Sequence, residues 1–398
     1  MPAPISFDLA RLRDPALLPI GEKLQRGERL TLTDGATLFR SADLLGVGAM
    51  ADAANRALHG DRVTFASNQH INPTNVCVLR TTCVFCGYAR LPKEAGAYRY
   101  TIEQVLAESD RADGTITREF HIVGGLDMKA GLAYYTAMFR ALKTRHPHVH
   151  IKALTAVEIA HIARIEKMSR EDVLRALKAA GLDTMPGGGA ETFSAAVRDV
   201  IADKKLGGAD YIDVHRTAHR LGIRSNCTML YGHVETIEDR MEHLAMLRNL
   251  QDETGGFLAY IPLSYHPDDN ELGKTLGREG IASTGFDDLR NLAVGRLFLD
   301  NFVHIKSHWI MVTSAVSQIA LHFGVNDIEG TVVREKIYHA VGAHTPQGMT
   351  LAELLTLIRG AGKQPAERDS FYNVLREFGE HDSADTVPDV LAAATTSA

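Results

Sequence analysis

Cys77-Val78-Leu79-Arg80-Thr81-Thr82-Cys83-Val84-Phe85-Cys86-Gly87-Tyr88 decides how this 398-residue chain is read. Three of the four cysteines fall in this stretch, and the fourth, Cys227, stands far away. That is not the even, dispersed spacing of a disulfide scaffold, so the three thiols point to metal. A structural zinc site needs four closed ligands, and no histidine stands at close spacing to supply the fourth. Iron-sulfur clusters are held by cysteine thiolates, and three of them leave one iron of a 4Fe-4S cluster open to the amino and carboxylate groups of a ligand.

Working outward, the stretch follows a strand-like run at Phe65 to Ile71, which puts the thiols on a loop at a strand's C-terminal end, where α/β barrels carry their active sites. From Val63 onward apolar or β-branched runs alternate with amphipathic helical stretches, a pattern that favours a parallel sheet or barrel. The strand candidates are Phe65 to Ile71, Glu119 to Val123, Val149 to Leu154, Thr184 to Pro186, Arg224 to Leu230, Phe257 to Leu263, His304 to Met311 and, weakly, Ile319 to Phe323. His150 with Lys152, and His304 with Lys306 and His308, alternate so as to share one face, as polar groups of a lumen would.

Before the barrel, Leu24, Leu30, Leu38, Leu44 and Leu45 recur among charges, and Asp43 to Arg56 continues as an Ala-rich helix, a helical cap. After Val332 the chain returns to helices, including Leu351 to Arg359 and Ser370 to Phe378, and Asp382 to Ala398 is an Ala/Thr-rich tail expected to fray. The predicted architecture is α/β, a partial or full TIM-type barrel at 63–330, with an N-terminal helical region at 1–62, a C-terminal helical extension at 331–381 and a flexible tail at 382–398.

A content of 45% hydrophobic and 23% charged residues is ordinary for a soluble globular protein, and no run approaches the roughly 18 apolar residues of a membrane span. Met1 to Leu18 carries Asp8, Arg11, Arg13 and Asp14 without an apolar core, so no secretory signal is expected and the cytoplasm is the predicted compartment. A net charge of -6 argues against a general nucleic-acid binder, which leaves small-molecule chemistry as the expectation.

The cysteine stretch resembles the radical S-adenosylmethionine (SAM) superfamily, and Asn68-Gln-His-Ile-Asn-Pro-Thr-Asn75 resembles its branch that makes menaquinone by the futalosine route. His121-Ile-Val-Gly-Gly125, Ile151-Lys-Ala-Leu-Thr-Ala-Val-Glu158, Pro186-Gly-Gly-Gly-Ala-Glu191, His215-Arg-Thr-Ala-His219, Met229-Leu-Tyr-Gly-His233 and Gln251-Asp-Glu-Thr-Gly-Gly256 are similar to the aminofutalosine synthases. Ile151 to Glu158, Asp300 to Trp309 and Gly330 to His339 look more like those enzymes than like the related cyclic dehypoxanthinyl futalosine synthases. One departure stands out: the family pattern has three residues between the first two cysteines and this chain has five. Loop closure grows slowly with length, so the two extra residues should cost on the order of a few tenths of a kcal/mol.

The resemblance implies one 4Fe-4S cluster on Cys77, Cys83 and Cys86 that cleaves SAM. It implies that the adenosyl radical adds to the enol-ether carbon of 3-[(1-carboxyvinyl)oxy]benzoate, followed by aryl migration and decarboxylation to 6-amino-6-deoxyfutalosine. A low-potential donor such as flavodoxin or ferredoxin would supply the electron. The alternatives are the cyclising futalosine enzyme and a non-catalytic iron-sulfur carrier.

For SAM, the resemblance assigns Phe85 to the adenine side, with Tyr88 close enough to help, Glu191 to the ribose or amine, and Arg198 to a carboxylate. Gly124-Gly125 ends a strand where absent side chains let backbone approach the methionine amino group. His70, Asn72, His121, Lys152, His233, His266 and Lys306 lie at or near strand ends that should face the barrel mouth, as candidate substrate groups. Each has a plainer reading: core packing for Phe85 and Tyr88, a strand-to-helix turn for the glycines, helix charges for Glu191 and Arg198, and satisfied structural roles for single histidines. Cys227, inside a strand, is expected to be buried and inert.

Overall fold

The computed structural model describes residues 4–111, 117–281 and 283–383. The expected tail lies, after Ser383, outside the described residues. Among the described residues ten strands are formed: β1 Arg62–Phe65, β2 Asn68–Ile71, β3 Glu119–Ile122, β4 His150–Ala153, β5 Ser225–Tyr231, β6 Phe257–Ser264, β7 His304–Ser307, β8 Asp327–Ile328, β9 Gln364–Arg368 and β10 Val374–Glu377. One sheet runs β10-β9-β1-β8-β7-β6-β5 and the other β2-β3-β4, with every pair parallel except β9 with β10.

Single parallel rungs link the two sheets. Lys152↔Thr184 and Met185↔Ser225 join β4 to β5, and Gln69↔Val333 joins β2 to the chain beyond β8. The result is a curled, partial-barrel wall. At the second seam a Cβ on Gly330 would stand 1.7 Å from the Ala66 carbonyl oxygen, so the close approach there requires glycine.

Period-two alternation builds the two faces of this wall. Phe120, Ile122 and Ile151 enter the hydrophobic core, while Glu119, His121 and Lys152 line the central cavity. Capping boxes start the helices that follow the strands: Thr155 with Glu158 opens Ala156–Glu166, and Thr236 with Asp239 opens Ile237–Thr254. The N-terminal helices Leu18–Gln25, Leu32–Arg40 and Leu44–His59 lie outside the wall, the last packed on Gly285–Phe298. Among the described residues no helix is long and apolar enough to cross a membrane.

Four expectations are corrected. Phe65 to Ile71 is two strands in different sheets, not one. The run His304 to Met311 stops being strand at Ser307, and Trp309–Val312 is helical, with the buried indole of Trp309 donating to the carbonyls of Glu329 at 3.0 Å and Gly330 at 3.1 Å. Ile319 to Phe323 belongs to the end of helix Ser314–Ala320, and the strand of that region is Asp327–Ile328; a short apolar run does not distinguish the two. Ser370 to Phe378 is not a helix: the Asp369 carboxylate accepts from the backbone of Phe371 and Asn373, an Asx-type turn that sends the chain back as β10.

Candidate active site

A cavity of about 330 Å³ opens at the C-terminal ends of the parallel strands, where the loops after β3 and β4 and the glycine run after Met185 converge. Its wall carries Cys77, Cys83 and Cys86 at one end, and His70, His121, Lys152, Lys306 and His308 from the strands and the β7 exit.

The cysteine loop is a series of tight turns. The Cys77 carbonyl accepts from Arg80 N at 3.2 Å, the Leu79 carbonyl from Cys83 N at 2.9 Å, and the Cys83 carbonyl from Cys86 N at 3.1 Å. Within the two-residue-longer spacing, Leu79 turns into the cavity wall while Thr81 is exposed, so the extra length bulges outward. All three thiols are free. Burial pushes the Cys77 thiol up against backbone hydrogen bonds at Leu126 and Leu79, and pushes Cys83 up to about 12. Burial thus favours the protonated thiols, and a bound metal would displace those protons. Among the described residues no three His, Cys, Asp or Glu side chains converge closely enough to hold a single ion.

Phe85 and Tyr88 both reach the cavity wall. The Tyr88 hydroxyl is hydrogen-bonded to that of Tyr98 at 2.5 Å, and the Tyr98 hydroxyl lies 3.1 Å from the Asn72 carbonyl. Gly124 and Gly125 also line the cavity, and their missing side chains serve the neighbouring segment: a Cβ on Gly125 would lie 2.2 Å from the Val76 carbonyl oxygen. Glu158 fixes these loops together. One carboxylate oxygen accepts from Gly124 N at 3.0 Å and the other from Thr155 N at 2.7 Å, while burial pushes the group up to about 7 against those donors. Glu191 lines the wall and is bonded to Lys205, whose ammonium also stands 5.3 Å from the Phe85 ring centre. Burial opposes the charge on Lys205, but the bonded Glu191 carboxylate outweighs it and holds the ammonium protonated.

Deeper in the lumen, register lines up His70, His121 and Lys152 in one row across β2, β3 and β4. The two imidazoles stack at 4.6 Å between centres. Lys152 is 2% exposed and bonds Glu119 at 2.6 Å, and Glu119 also accepts from Ser370 at 2.6 Å. Burial would raise the Glu119 carboxyl, yet Lys152, His150 and Lys306 hold it well below the usual range. Lys306 stands 3.4 Å from Asp327 and 3.3 Å from Glu329. Because Lys152 and Glu119 compensate each other in a buried site, Lys152→Met is expected to destabilise the fold by about 3–5 kcal/mol, and adding Glu119→Gln should recover part of the loss. Denaturant midpoints of the two variants check this, and an additive loss would show that the pair is uncoupled.

Other predicted residues are placed elsewhere. Arg198, expected to face a carboxylate, is 5% exposed and absent from the cavity wall; its guanidinium donates to the carbonyls of Ala190 at 2.8 Å, Thr192 at 3.2 Å and Leu206, pinning the loop after the glycine run. His233 also lies off the wall, with Nδ1 accepting from Val234 N at 2.8 Å and Nε2 facing the Leu230 carbonyl at 3.1 Å. Asn72 ties the end of β2 to β3 by donating to the Val123 carbonyl at 3.0 Å and does not reach the cavity. His266 stays off the wall as well, near Asp268. Cys227 is fully buried. Sequence reasoning singled out neither Lys205 nor the cavity carboxylates Glu119, Glu158, Glu329 and Glu335; only Glu158 had a local signal, its capping-box spacing from Thr155.

Comparison with known proteins adds a family to this geometry. The chain matches the Radical SAM superfamily over residues 71–247 and the CofH/MqnC C-terminal region over residues 254–381. The aminodeoxyfutalosine synthase of Thermus thermophilus is 45% identical over 366 residues, covering 92% of this chain and 97% of that one. The cyclic dehypoxanthine futalosine synthase of Streptomyces coelicolor is 37% identical over 367 residues, covering 90% and 89%. In fold, the chain is like methylornithine synthase, with a TM-score of 0.68 at 17% identity over 87% of this chain and 97% of that one.

Proposed function

The chain belongs to the radical SAM superfamily, as an enzyme closely related to aminodeoxyfutalosine synthase, and we propose that it joins the adenosyl group of SAM to 3-[(1-carboxyvinyl)oxy]benzoate. The product in this reading is 6-amino-6-deoxyfutalosine, formed after aryl migration and loss of a carboxyl group, on the futalosine route to menaquinone in the cytoplasm. The observation that carries it is one cavity lined at the cysteine end by three free thiols and, deeper, by imidazoles among mutually paired charges.

Enzymes of this superfamily typically use a 4Fe-4S cluster and SAM, and the donor set here suits that group. Three free thiols share one wall of the cavity, the number that would leave one iron of such a cluster open to SAM. When bound, the cluster and SAM supply an adenosyl radical, with the electron coming from a low-potential donor such as flavodoxin or ferredoxin.

The protein's own task is placement and exclusion. Cys77, Cys83 and Cys86 would hold the irons, Phe85 and Tyr88 would face the adenine with their rings, and the backbone at Gly124 and Gly125, locked by Glu158, would receive the methionine amino group. Glu191, oriented by Lys205, stands where a ribose hydroxyl or amine would accept it as partner. Leu79, Val157, Ile261, Leu263 and Met311 line the cavity with apolar surface and would keep water from the reacting carbons. His70, His121 and Lys152 are then substrate groups of the deep end.

Anaerobic reconstitution with SAM labelled in its adenosyl group tests the reading. Label is expected in an adenine-containing product of aminofutalosine mass from the enolpyruvyl benzoate. Stoichiometric 5'-deoxyadenosine without that product would move the chain to hydrogen abstraction, as in the cyclising relatives. Absence of SAM binding would reduce it to an iron-sulfur carrier.

A further inference from the structure

The deep end of the cavity presents its charges already spent on one another. On β4 the Lys152 ammonium is bonded to Glu119 of β3 at 2.6 Å. On β7 the Lys306 ammonium lies between Asp327 and Glu329 at 3.4 and 3.3 Å, and Asp327 is further bonded to Arg368 at 2.7 Å. Glu335, from the segment after β8, is paired with His339 at 2.7 Å. An entering carboxylate therefore meets no uncompensated cation among the described residues at this end. Burying one there without a counter-charge is costly.

The groups left to supply that charge are imidazoles. His70 of β2 stacks on His121 of β3, and its Nε2 is buried without a hydrogen-bond partner. His308, at the end of β7, likewise buries an unpartnered Nδ1. The His70 ring faces His121, His308, Glu329 and Glu335, and His121 faces Lys152, Glu119, Lys306 and Glu329. Burial pulls His70 down to about 3, and burial with Lys152 and Lys306 nearby pulls His121 to about 4, so both rings favour the neutral form in the protein as it stands.

We propose that this end of the cavity takes a carboxylate of an aryl dicarboxylate substrate, and that the His70–His121 pair takes up one proton from solvent as that carboxylate binds. The inference rests on the substrate proposed above and deepens it by locating one of its two carboxylates. One proton carried by one of the two stacked rings gives the entering anion a counter-charge and a donor, while Glu329 and Glu335 near His70 favour the protonated ring. The sign follows from linkage: a histidine raised on binding contributes affinity that is lost as pH rises.

The test is calorimetric titration of the cluster-loaded protein without reductant, so that nothing turns over, in buffers of different ionisation enthalpy. The probes are the enolpyruvyl benzoate and isophthalate, which carries two aryl carboxylates but no enol ether. The expected result is uptake of about one proton per ligand and a Kd that rises close to tenfold per pH unit across about pH 6 to 8. In His70→Gln and His121→Gln, binding should persist more weakly with uptake reduced. Buffer-independent heats and a pH-independent Kd in the unaltered protein would overturn the proposal, as would failure of both probes to bind. Isophthalate binding with proton uptake, alongside an enolpyruvyl benzoate that neither binds nor reacts, would keep this site and overturn the proposed function instead.

Discussion

Cys77→Ala, Cys83→Ala and Cys86→Ala are each expected to reduce turnover to background and to strip iron and sulfide from the reconstituted protein, while Cys227→Ala keeps most of both. Three thiolates are the minimum anchor for a cluster that leaves one iron open, so no member of the set is spare. Cys83 shows the point most clearly, since the residue is 6% exposed at the cavity wall, packed in a small hydrophobic cluster with Lys205 and Glu191 nearby. Cys227 is also buried, but on β5, where a Cβ on Gly187 would come within 2.5 Å of its Cα and its thiol faces the Ala259 carbonyl at 3.7 Å. Its loss should cost about 1 kcal/mol of stability and no iron. Near-normal iron content with retained activity in the Cys83 variant would remove that residue from the cluster.

The same contrast explains how much of the site was legible in the sequence. Cysteine spacing is a local property, so the cysteine loop and its place after a strand were readable, and so in part were the alternating polar residues of β4 and of β7 with its exit, of which Lys152, Lys306 and His308 line the cavity. What a side chain touches across the lumen depends on register and on chain hundreds of residues away. Lys152 reads as a free cation for a substrate carboxylate, but pairing of β4 with β3 sets it against Glu119, and a C-terminal turn adds Ser370 to that carboxylate. Arg198 and Lys205 lie on the same stretch of chain and carry the same charge. Only the fold decides that Arg198 folds back on carbonyls while Lys205 reaches the cavity beside Glu191.

The C-terminal hairpin illustrates the second kind of failure. Ser370 to Phe378 reads as helix by its apolar spacing, but Asp369 competes for the backbone and turns it. That turn brings Ser370 and Tyr372 beneath the lumen, so residues that read as an outer extension instead form part of the floor of the site.

Arg368 of β9 is therefore expected to be among the most sensitive positions outside the cavity wall. Its side chain is 1% exposed and grips Asp327 with two bonds, at 2.8 and 2.7 Å, while its guanidinium lies 3.8 Å from the Tyr372 ring centre. Asp327 is fully buried and also accepts from Thr64 at 2.7 Å and Tyr372 at 2.9 Å. Burial would raise this carboxyl, but Arg368 and Lys306 outweigh it and pull it from 3.8 down to about 2. The stabilisation so gained is present above the unfolded value and lost as pH falls through the folded one. Arg368→Met leaves Asp327 charged with Lys306 as its remaining cation, and should cost about 3–5 kcal/mol, a large share of a typical domain's stability. Arg368→Lys keeps the charge without the planar fork and should fall in between. In Arg368→Met the acid side of the stability profile, between about pH 2 and 4, should flatten. Lys306, drawn toward Asp327, would also leave Glu329, so surviving Arg368→Met protein should bind the enolpyruvyl benzoate differently from the unaltered enzyme. Denaturant midpoints across that pH range decide the matter: a loss below about 1 kcal/mol would mean that the hairpin merely covers the barrel floor and does not hold its charges in place.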